Sequence, residues 1–130
     1  MDAQHFGDSF PAGQMQPGER FAVRTSTNDS TVWVAMGGEL DVYATPALRA
    51  ALANVERTEP ELIVLDLRSL EFLDSSGLAV LLGTHERAAE SGRRVRLLIK
   101  GSRAVETLFE TVRAQDFLEI VDDPAELASA

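Results

Sequence analysis

The chain contains no cysteine. That excludes a disulfide framework and a thiolate zinc site. Histidine is almost as scarce. His5 and His85 lie far apart in sequence, so a histidine metal site lacks its ligands, and no metal or cofactor is implied. Basic residues are few: 12 Lys and Arg against 21 Asp and Glu give a formal net charge of −9. Nucleic-acid binders neutralise phosphates with a basic face, so a direct nucleic-acid partner is not expected. No apolar run approaches the roughly 20 residues that span a bilayer. The stretch from Met1 to Arg20 has neither the basic start nor the apolar middle of a signal peptide. A cytoplasmic protein without membrane contact is the expectation.

Enzyme signatures are missing as well. Neither G-x-x-x-x-G-K-[ST] nor G-x-G-x-x-G occurs, and Lys100-Gly101-Ser102 matches only the tail of a phosphate loop. No G-x-S-x-G elbow surrounds the serines. A Ser-His-Asp arrangement built on Ser75 or Ser76 would need His85. That residue falls about ten positions along the same expected helix, on the order of 15 Å away. Hydrogen-bond reach is far shorter. No catalytic residue is assigned, and the protein is not expected to be an enzyme.

What is present is the ordinary globular mixture, 45% hydrophobic and 25% charged over 130 residues, which suits a single domain. Residues 1–19 carry Gly7, Pro11, Gly13, Pro17 and Gly18 without a sustained period and read as a disordered leader. The single domain is expected over 20–127. Phe21–Thr25 and Thr31–Met36 read as strands joined by a five-residue polar loop, Ser26–Ser30. Gly37-Gly38 closes the second strand. Thr45 is the expected cap of a helix with Pro46 in its first turn and Leu48, Ala51, Leu52 and Val55 on one face. Leu62–Leu67 is a continuous apolar run, hence a central strand covered on both sides. A helix follows from Ser75 to about Ser91, with an inner stripe of Leu78, Leu81, Leu82, His85 and Ala89 and an end marked by Gly92. Val95–Ile99 is the next strand. Ser102 caps a helix carrying Val105, Leu108, Phe109 and Val112. Phe117–Val121 is a short strand, and Asp123-Pro124 opens a small terminal helix. The fold class is α/β, a mixed sheet with helices in the order β-β-α-β-α-β-α-(β)-α.

Two segments carry unusual polar residues. Asp74-Ser75-Ser76-Gly77 sits between an apolar strand and an apolar helix. Two readings stand there: a plain helix cap, and a site for an anion at the free amides of the helix start. Gly37-Gly38-Glu39-Leu40-Asp41 places acids at another helix entrance. It reads as a polar loop before a capped helix or as part of a site. Asp41, Asp66 and Asp74 are also conceivable as a carboxylate cluster. Arg93, Arg94 and Arg96 form a small basic patch read as a solvated strand entrance.

Taken together, Gly38-Glu39-Leu40-Asp41, the helix entered after Thr45, the strand ending Asp66-Leu67, and Phe72-Leu73-Asp74-Ser75-Ser76-Gly77-Leu78 resemble the STAS-domain anti-sigma-factor antagonists of bacteria. The resemblance covers about residues 20–125. It implies a STAS-like fold and a phosphoprotein that acts by partner switching in transcription regulation. The unphosphorylated form binds an anti-sigma factor, itself an ATP-using serine kinase, and a sigma factor is released. Phosphorylation ends the binding and a phosphatase resets it. By this resemblance Ser75 is the phosphorylation site, and Asp41, Asp74, Ser75, Ser76 and Gly77 are partner-binding residues. The segment Val42–Pro46 then helps decide which kinase is recognised. The alternative is a STAS scaffold or an accessory module in another signalling or transport assembly.

Overall fold

The computed structural model describes residues 18–128. The expected leader, residues 1–19, lies outside them apart from its last two positions. Strands β1 (Phe21–Asn28), β2 (Thr31–Leu40), β3 (Leu62–Leu73), β4 (Arg94–Leu98) and β5 (Glu119–Val121) alternate with helices α1 (Thr45–Arg57), α2 (Ser75–Glu90) and α3 (Arg103–Val112) in the order β-β-α-β-α-β-α-β. The expected terminal helix is instead a 3-10 turn, Pro124–Ala128. No helix among the described residues is long and apolar enough to cross a membrane.

The five strands lie side by side in sequence order. β1 is antiparallel to β2, and every later pair is parallel. Parallel neighbours joined in sequence order by right-handed crossovers put every crossover helix on the same face. The core follows this rule. Val32, Val34 and Met36 of β2, Ile63, Leu65 and Leu67 of β3, and Val95 and Leu97 of β4 meet Leu48 and Leu52 of α1, Leu78 and Leu81 of α2, and Val105 and Phe109 of α3. The alternate strand residues Trp33, Ala35, Val64, Leu98 and Val121 form a second cluster with Leu127 on the opposite face. Both faces of β3 are therefore covered, as the apolar run Leu62–Leu65 requires.

Several boundaries differ from the sequence reading. β1 runs on to Asn28, and only Asp29 and Ser30 turn the chain. Asp29 adopts φ 54, the left-handed conformation that a two-residue hairpin turn demands. Gly37-Gly38 does not end β2, which continues to Leu40. The pairing with β3 shifts twice there, between Ala35 and Gly37 and between Gly38 and Glu39. Gly38 at φ 89 absorbs the distortion.

The buried line of α2 is Gly77, Leu78, Val80, Leu81, Thr84 and Ala88; Leu82 and His85 are half-buried and Ala89 is exposed. On α3, Val105 and Phe109 are buried, Leu108 is half-buried and Val112 is exposed. Phe117 precedes β5 and is exposed. The basic patch is only partly solvated. Arg93 pairs with Glu59, and Arg94 with Glu119. Arg96 is buried, donating to Glu119 at 2.8 Å and to the Leu127 carbonyl at 3.4 Å.

Candidate functional site

The parallel register of β2 and β3 brings the two singled-out segments together. Glu39 is opposite Phe72 and Leu40 is opposite Leu73. Asp41 and Asp74 are the next residue on each strand, so both acids leave the same end of the sheet side by side. The Asp74 amide donates to the Leu40 carbonyl at 3.3 Å, which ties one loop to the other.

Asp74 caps α2. Its Oδ1 accepts from the Ser76 amide at 3.0 Å, the Gly77 amide at 3.1 Å and the Ser76 hydroxyl at 2.7 Å. Capping is thus real, and it uses the acid rather than a serine. The Ser76 hydroxyl bond is the largest effect; with smaller contributions from the Gly77, Ser76 and Asp74 amides it holds the Asp74 carboxyl below its ordinary value, against the opposing effect of burial. A depressed carboxylate contributes stability above its unfolded-state pKa, about 3.9, and loses it as pH falls through the folded value. Asp74→Ala is expected to cost about 1 kcal/mol near pH 7. Urea titrations should find the gap to wild type shrinking once the pH drops below about 4. An unchanged gap would mean that the carboxylate charge plays no part.

The tandem serines differ. Ser76 is half-buried and its hydroxyl is committed to Asp74. Ser75 is exposed, is the first residue of α2, and its hydroxyl makes no hydrogen bond with any described residue. Gly77 is buried beneath them. A Cβ at Gly77 would lie 2.7 Å from both Leu40 Cγ and Leu73 Cδ1. Only glycine lets α2 start this close to the strand ends.

Asp41 also builds its loop. Its Oδ1 accepts from the Tyr43 and Ala44 amides, each at 3.0 Å. Its carbonyl accepts from the Ala44 and Thr45 amides. The N-cap of α1 is Ala44, not Thr45, and it makes no side-chain cap bond. Thr45 is the first helical residue and its hydroxyl donates to the Val42 carbonyl at 3.0 Å. The turn made by Asp41 pairs the Tyr43, Ala44 and Thr45 amides that lead into α1. Asp41→Ala should therefore cost about 1 kcal/mol in chemical denaturation. Asp41→Asn keeps the acceptor and should stay within about 0.5 kcal/mol. Equal losses in the two variants would show that charge, not the turn, sets the stability.

Other candidates fall away from this end. Asp66 is buried, accepting from Trp33 Nε1 at 3.2 Å and from Arg68 Nη2 at 2.8 Å. It is a paired acid inside the sheet, not a neighbour of Asp41 and Asp74. Among the described residues no group of three His, Asp or Glu could hold a metal ion. His85 Nδ1 is buried without a hydrogen-bond partner, several helical turns from Ser75. The sequence reading gives no role to the two leucines under Gly77, and it places Tyr43 in the Val42–Pro46 recognition segment without marking its exposure or that of Phe72. Nothing in the hydrophobic spacing marks those positions.

Two half-buried carboxylates and an exposed, unengaged serine thus share one end of the sheet. Residues 22–127 match the STAS domain family, and the chain belongs to it. It is 29% identical over 98 residues to the anti-sigma-B factor antagonist of Staphylococcus aureus, covering 75% of this chain and 90% of that one. An anti-sigma factor antagonist from Mycobacterium paratuberculosis has a similar structure, with a TM-score of 0.75, 23% identity, and coverage of 84% of this chain and 92% of that one. The anti-sigma factor antagonist SpoIIAA in its unphosphorylated form gives a TM-score of 0.64 at 26% identity, covering 82% of this chain and 94% of that one. SpoIIAA of Bacillus in the phosphorylated form gives the same TM-score at 22% identity, covering 83% and 98%.

Proposed function

We propose that the protein is an anti-sigma-factor antagonist switched by phosphorylation on Ser75. Unphosphorylated, it binds an anti-sigma factor that is also a serine kinase, and a sigma factor is freed. The Ser75 hydroxyl oxygen then attacks the γ-phosphorus of ATP held by that kinase. The new O–P bond forms as the bond to ADP breaks, and the serine proton passes to a base on the kinase. A phosphatase reverses the modification with water. The antagonist supplies the acceptor and the docking surface and no catalytic group.

One observation carries this reading: of two adjacent serines at a helix start, only Ser75 offers an exposed, unengaged hydroxyl. Family membership and the names of the relatives support it. So does the existence of SpoIIAA in unphosphorylated and phosphorylated forms. Asp41, Asp74 and Ser76 belong to the docking surface, with Gly77 holding it from beneath. The test is intact mass after incubation with an anti-sigma factor kinase of the same organism and ATP. One phosphate should be gained, and Ser75→Ala should gain none. A phosphate mapped to Ser76 would overturn the assignment.

A further inference from the structure

Five large hydrophobic side chains are exposed among the described residues, and three of them crowd one end of the molecule: Val42 at 56%, Tyr43 at 89% and Phe72 at 44%. Val42 and Tyr43 directly follow Asp41, and Phe72 stands two residues before Asp74. The other two, Val112 and Phe117, flank the end of α3, at the opposite end of the parallel strands. An aromatic ring this exposed contributes little to its own fold. Its backbone is nevertheless fixed. The Tyr43 amide is held by Asp41 Oδ1, the Val42 carbonyl by the Thr45 hydroxyl, and Ala44 and Thr45 are buried beneath. A rigidly mounted tyrosine loses little freedom on binding, and tyrosine is among the residues that dominate interface energies.

We propose that Tyr43, with Val42 beside it, is the anchor by which the anti-sigma factor recognises this protein. The ring enters an apolar pocket on that partner, and basic groups at the pocket rim meet Asp41 and Asp74. The proposal rests on the function given above. Continuity with the Ser75 surface and the two acids beside the exposed ring select this occupant. Specificity for one anti-sigma factor over another then resides in the anchor, whereas Ser75 decides only whether the surface is open.

The test is calorimetric titration of the unphosphorylated full chain into purified anti-sigma factor kinases from the same organism. Wild type, Tyr43→Ser, Tyr43→Phe and the remote Phe117→Ser are compared. Tyr43→Ser should bind at least about tenfold more weakly, Tyr43→Phe within about threefold, and Phe117→Ser like wild type. In phosphorylation assays Tyr43→Ser should raise KM and leave kcat unchanged, the mark of lost uniform binding. Melting temperatures should agree across the series, which separates lost contact from lost fold. If wild type and Tyr43→Ser bind equally well, the anchor is overturned and the proposed function stands. If wild type binds none of these kinases, both fall. If sedimentation instead finds a dimer that Tyr43→Ser dissolves while kinase affinity is kept, the occupant is a second copy and the proposal is overturned.

Discussion

Phosphorylated on Ser75, the protein should bind its anti-sigma factor at least about tenfold more weakly, with its fold unchanged. The modification adds about −1.5 to −2 charges. They arrive on an exposed residue beside the Asp74 carboxylate, on the end of the sheet that also carries Asp41. A partner docking there must desolvate all three groups together, and like-charge contact across an interface can cost several kcal/mol. Tenfold needs only about 1.4 kcal/mol. The core has no reason to respond, because Leu78 and Leu81 face the sheet below the helix start. Backbone amide shifts should stay within the first turn of α2 and the loop after β2. Shifts reaching Phe109, or lost hydrogen-exchange protection in β3, would mean that the switch works by remodelling the core.

The second large effect is expected from Gly77→Ala. Alanine is the better helix former by about 1 kcal/mol, so a surface argument predicts stabilisation. The packing predicts the opposite. The added methyl would sit 2.7 Å from two leucine carbons and 3.0 Å from the Leu40 carbonyl oxygen. Leu40 and Leu73 are themselves buried. The carbonyl cannot yield without straining the bond from the Asp74 amide. Overpacking of this kind costs about 1–3 kcal/mol. The melting temperature should fall by several degrees, on the order of 5–10 °C. Affinity for the anti-sigma factor should fall as well, because the two loops would be pushed apart. A melting temperature equal to or above that of wild type would show that the helix start is loosely seated.

The element order and the place of Ser75 were legible in the sequence because each rests on a local signal. Strands alternate with amphipathic stretches, and an acid, two serines and a glycine interrupt apolar runs. The second half of β3 was hidden. Leu65 and Leu67 keep the two-residue spacing of a strand, but Leu70 and Leu73 follow at intervals of three. That spacing looks like a loop or a helix. It becomes a strand only because β3 gains a residue on β2 at each of two register shifts, which is a property of the pair. The face of α2 was misjudged in part. Leu78 and Leu81 are buried as their spacing predicts, but Gly77, Val80, Thr84 and Ala88 complete the buried line in place of Leu82, His85 and Ala89. Asp41 was read as a loop acid. Its work on the Tyr43 and Ala44 amides depends on a turn that composition does not reveal.

The cap on α2 has a consequence for how long the switched state lasts. A phosphate at a free helix start would be gripped by backbone amides and shielded by them. Here the Ser76 and Gly77 amides are already taken by Asp74. Under the function proposed above, a phosphoryl group on Ser75 would project into water with the Asp74 carboxylate at its side. The fold lends it no grip, so nothing must be pried loose before it is removed. On that function, the lifetime of the silenced protein would be written by its phosphatase, and the antagonist would keep no clock of its own.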